Sequence, residues 1–486
     1  MSESLNNLYP NDLWSIFGKF CSIPHPSKHE RKIADYVIAF AKELKLEVFE
    51  DKVGNVIIKK PATKGFENRK TVVLQGHLDM VPQKNSDTNH DFEKDPIQAY
   101  IDAEWVKAKG TTLGADNGIG AAAALAVLKS NNISHGPIEV LLTIDEETGM
   151  TGAFGLEAGT LKGDILMNLD SEDEGELYIG CAGGIDTSAE FTYTEEKIPA
   201  GHVAYNVTIK GLKGGHSGLD IVLGRGNSNK LLNRFLWNCV RKFDLRLASF
   251  EGGTLRNAIP RESFAVVTIP SAKVNDFEEY AREYETIIKK ELSATEPDMH
   301  FFTEKSNFTG NVIDANTTQK FLNSIYSCPN GVIRMTVEMA NLVETSLNLA
   351  IIKSEKGKIN VHCLLRSSVD SAKDDLSHMV ESVFTLAGAK VEHEGGYPGW
   401  KPNVTSPILQ TMKDVYNNKY GKVPDVKAIH AGLECGIIGA VYPNLDMISF
   451  GPTIRYPHSP DEKVNIATVG KFWDYLVETL KNVPVK

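Results

Sequence analysis

The sequence predicts an α/β fold: a mostly parallel sheet sandwiched by helices, interrupted by an inserted α+β domain. Three observations predict it. Residues 71–74 (TVVL), 138–144 (IEVLLTI) and 165–169 (ILMNL) are continuous apolar runs, the pattern of strands buried on both faces. The alanine-rich stretch 119–128 between the first two reads as a buried helix. The pattern changes near residues 182–187 and returns after Pro398, where a helix over 406–420, a strand over 447–450 and a closing helix over 466–480 are expected.

The insertion has its own order. From His202 the pattern runs strand (AYNVTI), glycine-rich turn, helix over 229–243, a strand pair broken near Gly252 and Gly253, then a polar helix over 276–292. That β-α-β-β-α-β order is ferredoxin-like. A second set follows: paired strands over 345–352 and 358–366, a helix over 374–387 and a strand over 390–393. Two tandem sub-domains are therefore expected within an insertion spanning 186–396, flanked by 1–185 and 397–486.

Composition bounds the function. The chain has 486 residues, 42% hydrophobic and 24% charged, so it can bury a core without disulfides or structural metal. A net charge of −11, with no run of Lys or Arg, argues against nucleic acid as a partner. The six cysteines are scattered and form no CxxC pair, which reads as reduced thiols in the cytoplasm. The start, MSESLNNLYPND, lacks the basic and apolar regions of a secretory signal, and no apolar stretch is long enough to span a bilayer, so no membrane association is expected.

Polar residues follow the buried strands in a pattern that asks for a cause. TVVLQ leads into Gly76-His77-Leu78-Asp79, IEVLLTI into Asp145-Glu146-Glu147, and ILMNL into Asp170. Asp116 precedes the buried helix, and His458 lies eight residues beyond the MISF strand. Ligands of open α/β sheets bind outside the carboxyl ends of the strands, so these groups converge on one rim. Clustered carboxylates repel one another unless cations intervene. His77, Asp116, Glu147, Asp170 and His458 supply a mixed N/O set suited to Zn²⁺, with Mn²⁺ or Co²⁺ as alternatives. Five side chains exceed the three protein ligands of one catalytic zinc, so two divalent metal ions sharing a carboxylate fit better. Taken singly each element is bland: HxD pairs are common, Asp116-Asn117-Gly118 is a plausible turn with a helix cap, and a loop histidine is usually on the surface.

The segments GHLDMVP, TTLGADNGIG, DEETGMTGA, NLDSE and YPHSPDE resemble the di-zinc metallopeptidase family of dipeptidases, peptidase T-type tripeptidases, glutamate carboxypeptidases and acetylornithine deacetylases. The resemblance covers essentially the whole chain. It implies a zinc-exopeptidase-like catalytic domain and makes the insertion a lid. It pairs His77 with Asp170 on one metal and Glu147 with His458 on the other, with Asp116 bridging and preceding a cis peptide to Asn117. It makes Glu146 the general base and Asp79 the carboxylate that orients His77. The roles are chemically coherent: a water between two cations loses its proton near neutral pH, and its acceptor must not itself be a ligand. The resemblance further assigns His216, in the turn GGHSG, to the oxyanion, and Asn257, Arg366 and Gly432 to the substrate backbone and its carboxylate.

Within the family the resemblance implies a dipeptidase that hydrolyses short peptides, with Xaa-His dipeptides such as β-alanyl-histidine as expected substrates. A tripeptidase, carboxypeptidase or N-acyl amino-acid deacylase shares the ligand set. A peptide-binding protein on a peptidase fold is the non-enzyme alternative, and loss of Glu146 or a ligand would signal it. GADNGIG lacks the spacing of a dinucleotide or P-loop motif. Family members dimerise through the lid, so a homodimer is expected, although a tandem lid can replace the second subunit.

Overall fold

A computed structural model describes residues 5–486. The chain divides into two compact units. One runs from the start of the described residues to Cys181 and continues through Trp400–Ala428 and Leu433–Lys486; the other comprises Ala182–Gly399 and Ile429–Gly432. The division falls a few residues from the expected 185 and 397. The return of Ile429–Gly432 to the second unit is absent from the sequence pattern.

The first unit is built on an eight-stranded sheet. Its order is Glu47–Glu50, Val56–Lys60, Ile138–Thr143, Val72–His77, Ile165–Asn168, Asp446–Ser449, Glu176–Cys181 and Asp425–Ile429. The apolar runs form its parallel centre: Val72 pairs with Ile138 on one side and Ile165 on the other, and Met447 pairs with Leu166. Every residue of the three N-terminal central strands is buried. The helix Ala115–Lys129 is buried on nearly all sides, which its small residues allow. A β-carbon on Gly120 would collide with the Leu169 carbonyl oxygen, so only glycine lets the helix lie this close to the sheet. Two later helices start at side-chain caps, Ser406 accepting from Leu409 N–H and Asn465 from Thr468 N–H. No described helix is long and apolar enough to cross a membrane.

The second unit holds a nine-stranded antiparallel sheet. Strands His202–Lys210, Arg246–Gly252, Ser263–Pro270 and His300–Ser306 alternate with helices Ser228–Phe243 and Val274–Glu291 and lie in the spatial order fourth, first, third, second. This is the ferredoxin-like arrangement that the sequence predicts. Strands Gly183–Thr192, Val343–Glu355, Lys358–Ser367 and Lys390–Tyr397, with helices Ala315–Ser327 and Asp370–Leu386, repeat it in the same order. The two sets are nested rather than tandem: the first lies wholly between the first strand and first helix of the second. Gly183–Thr192 alternates buried and half-exposed residues, so its sequence carries no strong apolar run, and its partners lie 150 or more residues on. The sets join where Glu251 pairs with Lys353 and Gly252 with Ile352. The inner set packs on an aromatic cluster, Phe235 lying 4.7 Å from Phe301 and 5.2 Å from Tyr284 between ring centroids.

Candidate metal centre

Parallel pairing brings the strand ends to one edge of the first unit. His77 is the last residue of its strand, Glu146 and Glu147 open the short helix after Ile138–Thr143, and Asp170 lies two residues beyond Asn168. Asp116 sits at a break in its helix, with φ −85° and ψ 109°, and the Asp116–Asn117 peptide is cis.

All five residues expected to hold metal are brought together. His77 Nε2 lies 3.3 Å from Asp116 Oδ1 and 3.4 Å from Asp170 Oδ1. His458 Nε2 lies 3.2 Å from Asp116 Oδ2 and 3.0 Å from Glu147 Oε2. The two oxygens of Asp116 thus face different imidazoles. In each triad, His77–Asp116–Asp170 and Asp116–Glu147–His458, the donor atoms lie within 4.8 Å of one another.

The electrostatics fit a pair of cations. Asp170 is pushed up to about 8, by burial first and then by Asp116, against the pull of His77. Hydrogen bonds to Asp116 and Glu147 raise His458 to about 11. Burial alone would depress His77, yet Asp170 and Asp116 raise it well above the ordinary imidazole range. Protons are therefore drawn to the imidazole nitrogens that face carboxylates, the positions a metal would take. The buried Glu147 Oε1 and Asp170 Oδ1 accept no hydrogen bond, which leaves them free as donors to a cation.

Asp79 ties the centre to its surroundings. Its carboxylate lies 3.3 Å from His77 Nδ1, accepts from the N–H groups of Glu146 at 2.9 Å and Glu147 at 3.1 Å, and accepts from Ser27 Oγ at 2.8 Å. His77 Nδ1 lies 3.1 Å from the Asp79 backbone carbonyl as well, so carbonyl and carboxylate together orient the ring while the carboxylate fixes the turn carrying Glu146 and Glu147. The Glu146 carboxyl is raised well above the usual carboxylate range, chiefly by burial, with His77 opposing and Asp170 adding to the rise.

The four remaining predicted residues cluster within the second unit. His216 occupies a short strand, and Ser217 N–H donates to the Asn257 carbonyl at 2.8 Å. His216 Nδ1 accepts from Gly218 and Leu219 N–H, which places the ring proton on Nε2. Burial and then Arg366 lower its pKa, so the ring stays neutral. Arg366 is buried, reaches Tyr397 Oη at 3.0 Å and Ser217 Oγ at 3.4 Å, and forms no ion pair among the described residues. Gly432 lies against the Tyr397 ring, 3.0 Å from where its β-carbon would be. His430 joins the cluster by a 2.7 Å contact to Ser346 Oγ.

Comparison with known proteins decides the family. Residues 73–482 match the profile of "Peptidase family M20/M25/M40". The chain belongs to this family. Membership makes it a metallopeptidase, a hydrolase that binds divalent metal. It is 52% identical over its full length, and over all of that protein, to the "Cytosol non-specific dipeptidase" of Escherichia coli (strain K12). The crystal structure of aminoacylhistidine dipeptidase from Vibrio alginolyticus superposes with a TM-score of 0.97 at 56% identity, covering 100% of this chain and 99% of that one. Aminopeptidase PepT from Bacillus cereus ATCC 10987, at 17% identity and a TM-score of 0.57 over 98% of this chain and 99% of that one, shares the fold.

Two buried acids beside the family's metal-binding rim escape the sequence reading. Glu434 Oε2 accepts from Gln75 Nε2 at 2.6 Å and Thr143 Oγ1 at 2.8 Å, and Gln75 Oε1 accepts from Asn168 Nδ2 at 2.5 Å, a network two residues below His77 and Asp170. Glu462 accepts backbone N–H groups from the Asp116 loop. The signal available was an acid set in an apolar run, as in AGLECGII, or close behind a candidate ligand, as in HSPDE.

Proposed function

We propose that the chain is a cytoplasmic metal-dependent dipeptidase that hydrolyses Xaa-His dipeptides, β-alanyl-histidine among them, with zinc at two sites. The two imidazole–carboxylate triads sharing Asp116, on a chain similar throughout to two named dipeptidases, carry this reading. His77 and Asp170 would hold one ion, Glu147 and His458 the other, and Asp116 both. When bound, such ions polarise a carbonyl and lower the pKa of a water near pH 7.

The chain's own residues do the rest. Glu146 takes the proton from the attacking water and returns it to the leaving amine; burial raises its carboxyl above the usual carboxylate range. Asp79 holds His77 in one tautomer and Glu146 in place. Arg366, buried without a carboxylate, receives the carboxylate of the peptide. Asn257 and the Gly432 backbone hold the peptide chain beside it. His216, neutral and carrying its proton on Nε2, donates to a peptide carbonyl oxygen as negative charge develops there. A homodimer remains part of the proposal on the family resemblance, and light scattering after size exclusion tests it.

The deciding experiment assays purified protein, loaded with zinc or with manganese, against β-alanyl-histidine, a dipeptide panel, tripeptides and N-acyl amino acids, with metal content measured on the same samples. Fastest turnover on Xaa-His dipeptides with two ions per chain is expected. Faster cleavage of tripeptides or N-acyl amino acids would move the chain to another branch of the family.

A further inference from the structure

Glu462 is 2% exposed, and no lysine, arginine or histidine pairs with it among the described residues. Its carboxylate is instead enclosed by four consecutive backbone amides. Oε2 accepts from Leu113 N–H at 2.7 Å and Gly114 N–H at 3.1 Å; Oε1 accepts from Ala115 N–H at 2.7 Å and Asp116 N–H at 3.3 Å. Successive amides point at one anion because Gly114 is left-handed, with φ 72° and ψ 29°, and the chain then turns into the helix. A β-carbon at Gly114 would crowd Met80 Sδ at 3.0 Å, so the turn is fixed from the other side as well.

The same carboxylate belongs to the turn that carries His458. Glu462 N–H donates to the Ser459 carbonyl at 2.9 Å and Asp461 N–H to Ser459 Oγ at 3.2 Å, closing the loop between the two residues. His458 is itself left-handed, with φ 59°. One side chain thus spans two loops some 346 positions apart. It sets the backbone of Asp116 against the backbone of His458, and between those residues lies the 3.2 Å approach of His458 Nε2 to Asp116 Oδ2. The Asp116 end is the start of the helix Ala115–Lys129, and the His458 turn closes the hairpin in which Ile454 pairs with Val464 and Arg455 with Lys463, so Glu462 ties a helix start to a hairpin turn.

We propose that Glu462 is a positioning residue for metal binding, clamping the Asp116 loop to the His458 turn so that Asp116 presents one oxygen to each imidazole. This rests on the reading of Asp116 and His458 as ligands. A carboxylate can accept all four amide protons, whereas an amide side chain turns an NH₂ toward two of them. Glu462→Gln therefore keeps the volume and loosens the clamp, while Glu462→Asp keeps the charge and shortens its reach.

Zinc affinity of the metal-stripped full chain, measured by chelator competition, tests the proposal together with the visible absorption of the Co²⁺-substituted protein. Glu462→Gln should weaken zinc binding by about ten- to a hundredfold and change the Co²⁺ bands while the metal-free protein keeps its native circular dichroism. Glu462→Asp should recover part of the affinity, and serves as the test variant by the same criteria should the glutamine form not fold. Wild-type affinity and Co²⁺ spectrum in a folded Glu462 variant would overturn the proposal, provided Asp116→Asn loses binding in the same assay. Should Asp116→Asn also bind as wild type, the ligand reading itself fails, and the clamp with it.

Discussion

Asp79→Asn separates the orienting role of this residue from plain packing. The substitution keeps volume and shape but replaces one carboxylate oxygen by an NH₂ group. The Asp79 carboxylate accepts two backbone N–H groups and the Ser27 hydroxyl, all buried or partly buried, and sits beside His77 Nδ1. Ser27 can reverse its hydroxyl and accept from the new amide; the N–H of Glu147 cannot reverse. One buried donor is left unpaired, costing about 1–3 kcal/mol in the metal-free protein. His77 keeps the Asp79 backbone carbonyl 3.1 Å from Nδ1 but loses the anion beside that nitrogen, which should weaken metal binding about tenfold or more, or roughly 1.4 kcal/mol upward. Urea unfolding of the metal-free variant reads the first quantity and chelator competition the second. A variant within about 0.5 kcal/mol of wild type in stability, a neutral change by the usual standard, and equal to it in zinc affinity would refute the argument.

Other perturbations act elsewhere. Glu146→Gln should lower kcat about 10²- to 10⁴-fold with metal content unchanged, since the side chain takes a proton and holds no ion; steady-state kinetics beside metal analysis checks this. Gly120→Ala, helpful in most helix interiors, should here cost about 1–3 kcal/mol, because the methyl group meets the Leu169 carbonyl and approaches Asn117 Nδ2 to 2.7 Å; chemical denaturation gives the sign. Phe235→Ala removes the ring at the centre of the cluster with Phe277, Tyr284 and Phe301 and should cost about 3–5 kcal/mol, read as a lowered urea midpoint.

The parallel centre of the first unit was legible because burial on both faces leaves an unbroken apolar run, and the polar residues after those runs, each bland alone, converge on one rim when taken together. That is why the sequence singled out His77, Asp116, Glu147, Asp170 and His458, and the structure gathers them. Glu434 and Glu462 were illegible for the opposite reason. A carboxylate becomes a buried acceptor only through partners, and theirs lie 291 and 359 positions away for Glu434 and 346–349 for Glu462. The nesting of the two ferredoxin-like sets was hidden in the same way: Gly183–Thr192 mixes buried and half-exposed residues and pairs with Lys358–Ser367, which reads as a strand in its own right.

The position of Asp446–Ser449 bears on how the chain is made. This strand lies between Ile165–Asn168 and Glu176–Cys181, so during synthesis the edge of Ile165–Asn168 has no neighbour until more than 440 residues have left the ribosome. A nascent chain carries an open apolar strand edge for most of its translation, the kind of surface that recruits other unfinished chains or a chaperone. His458 emerges a dozen residues later still, so chains shorter than that lack one of the two imidazoles that face Asp116.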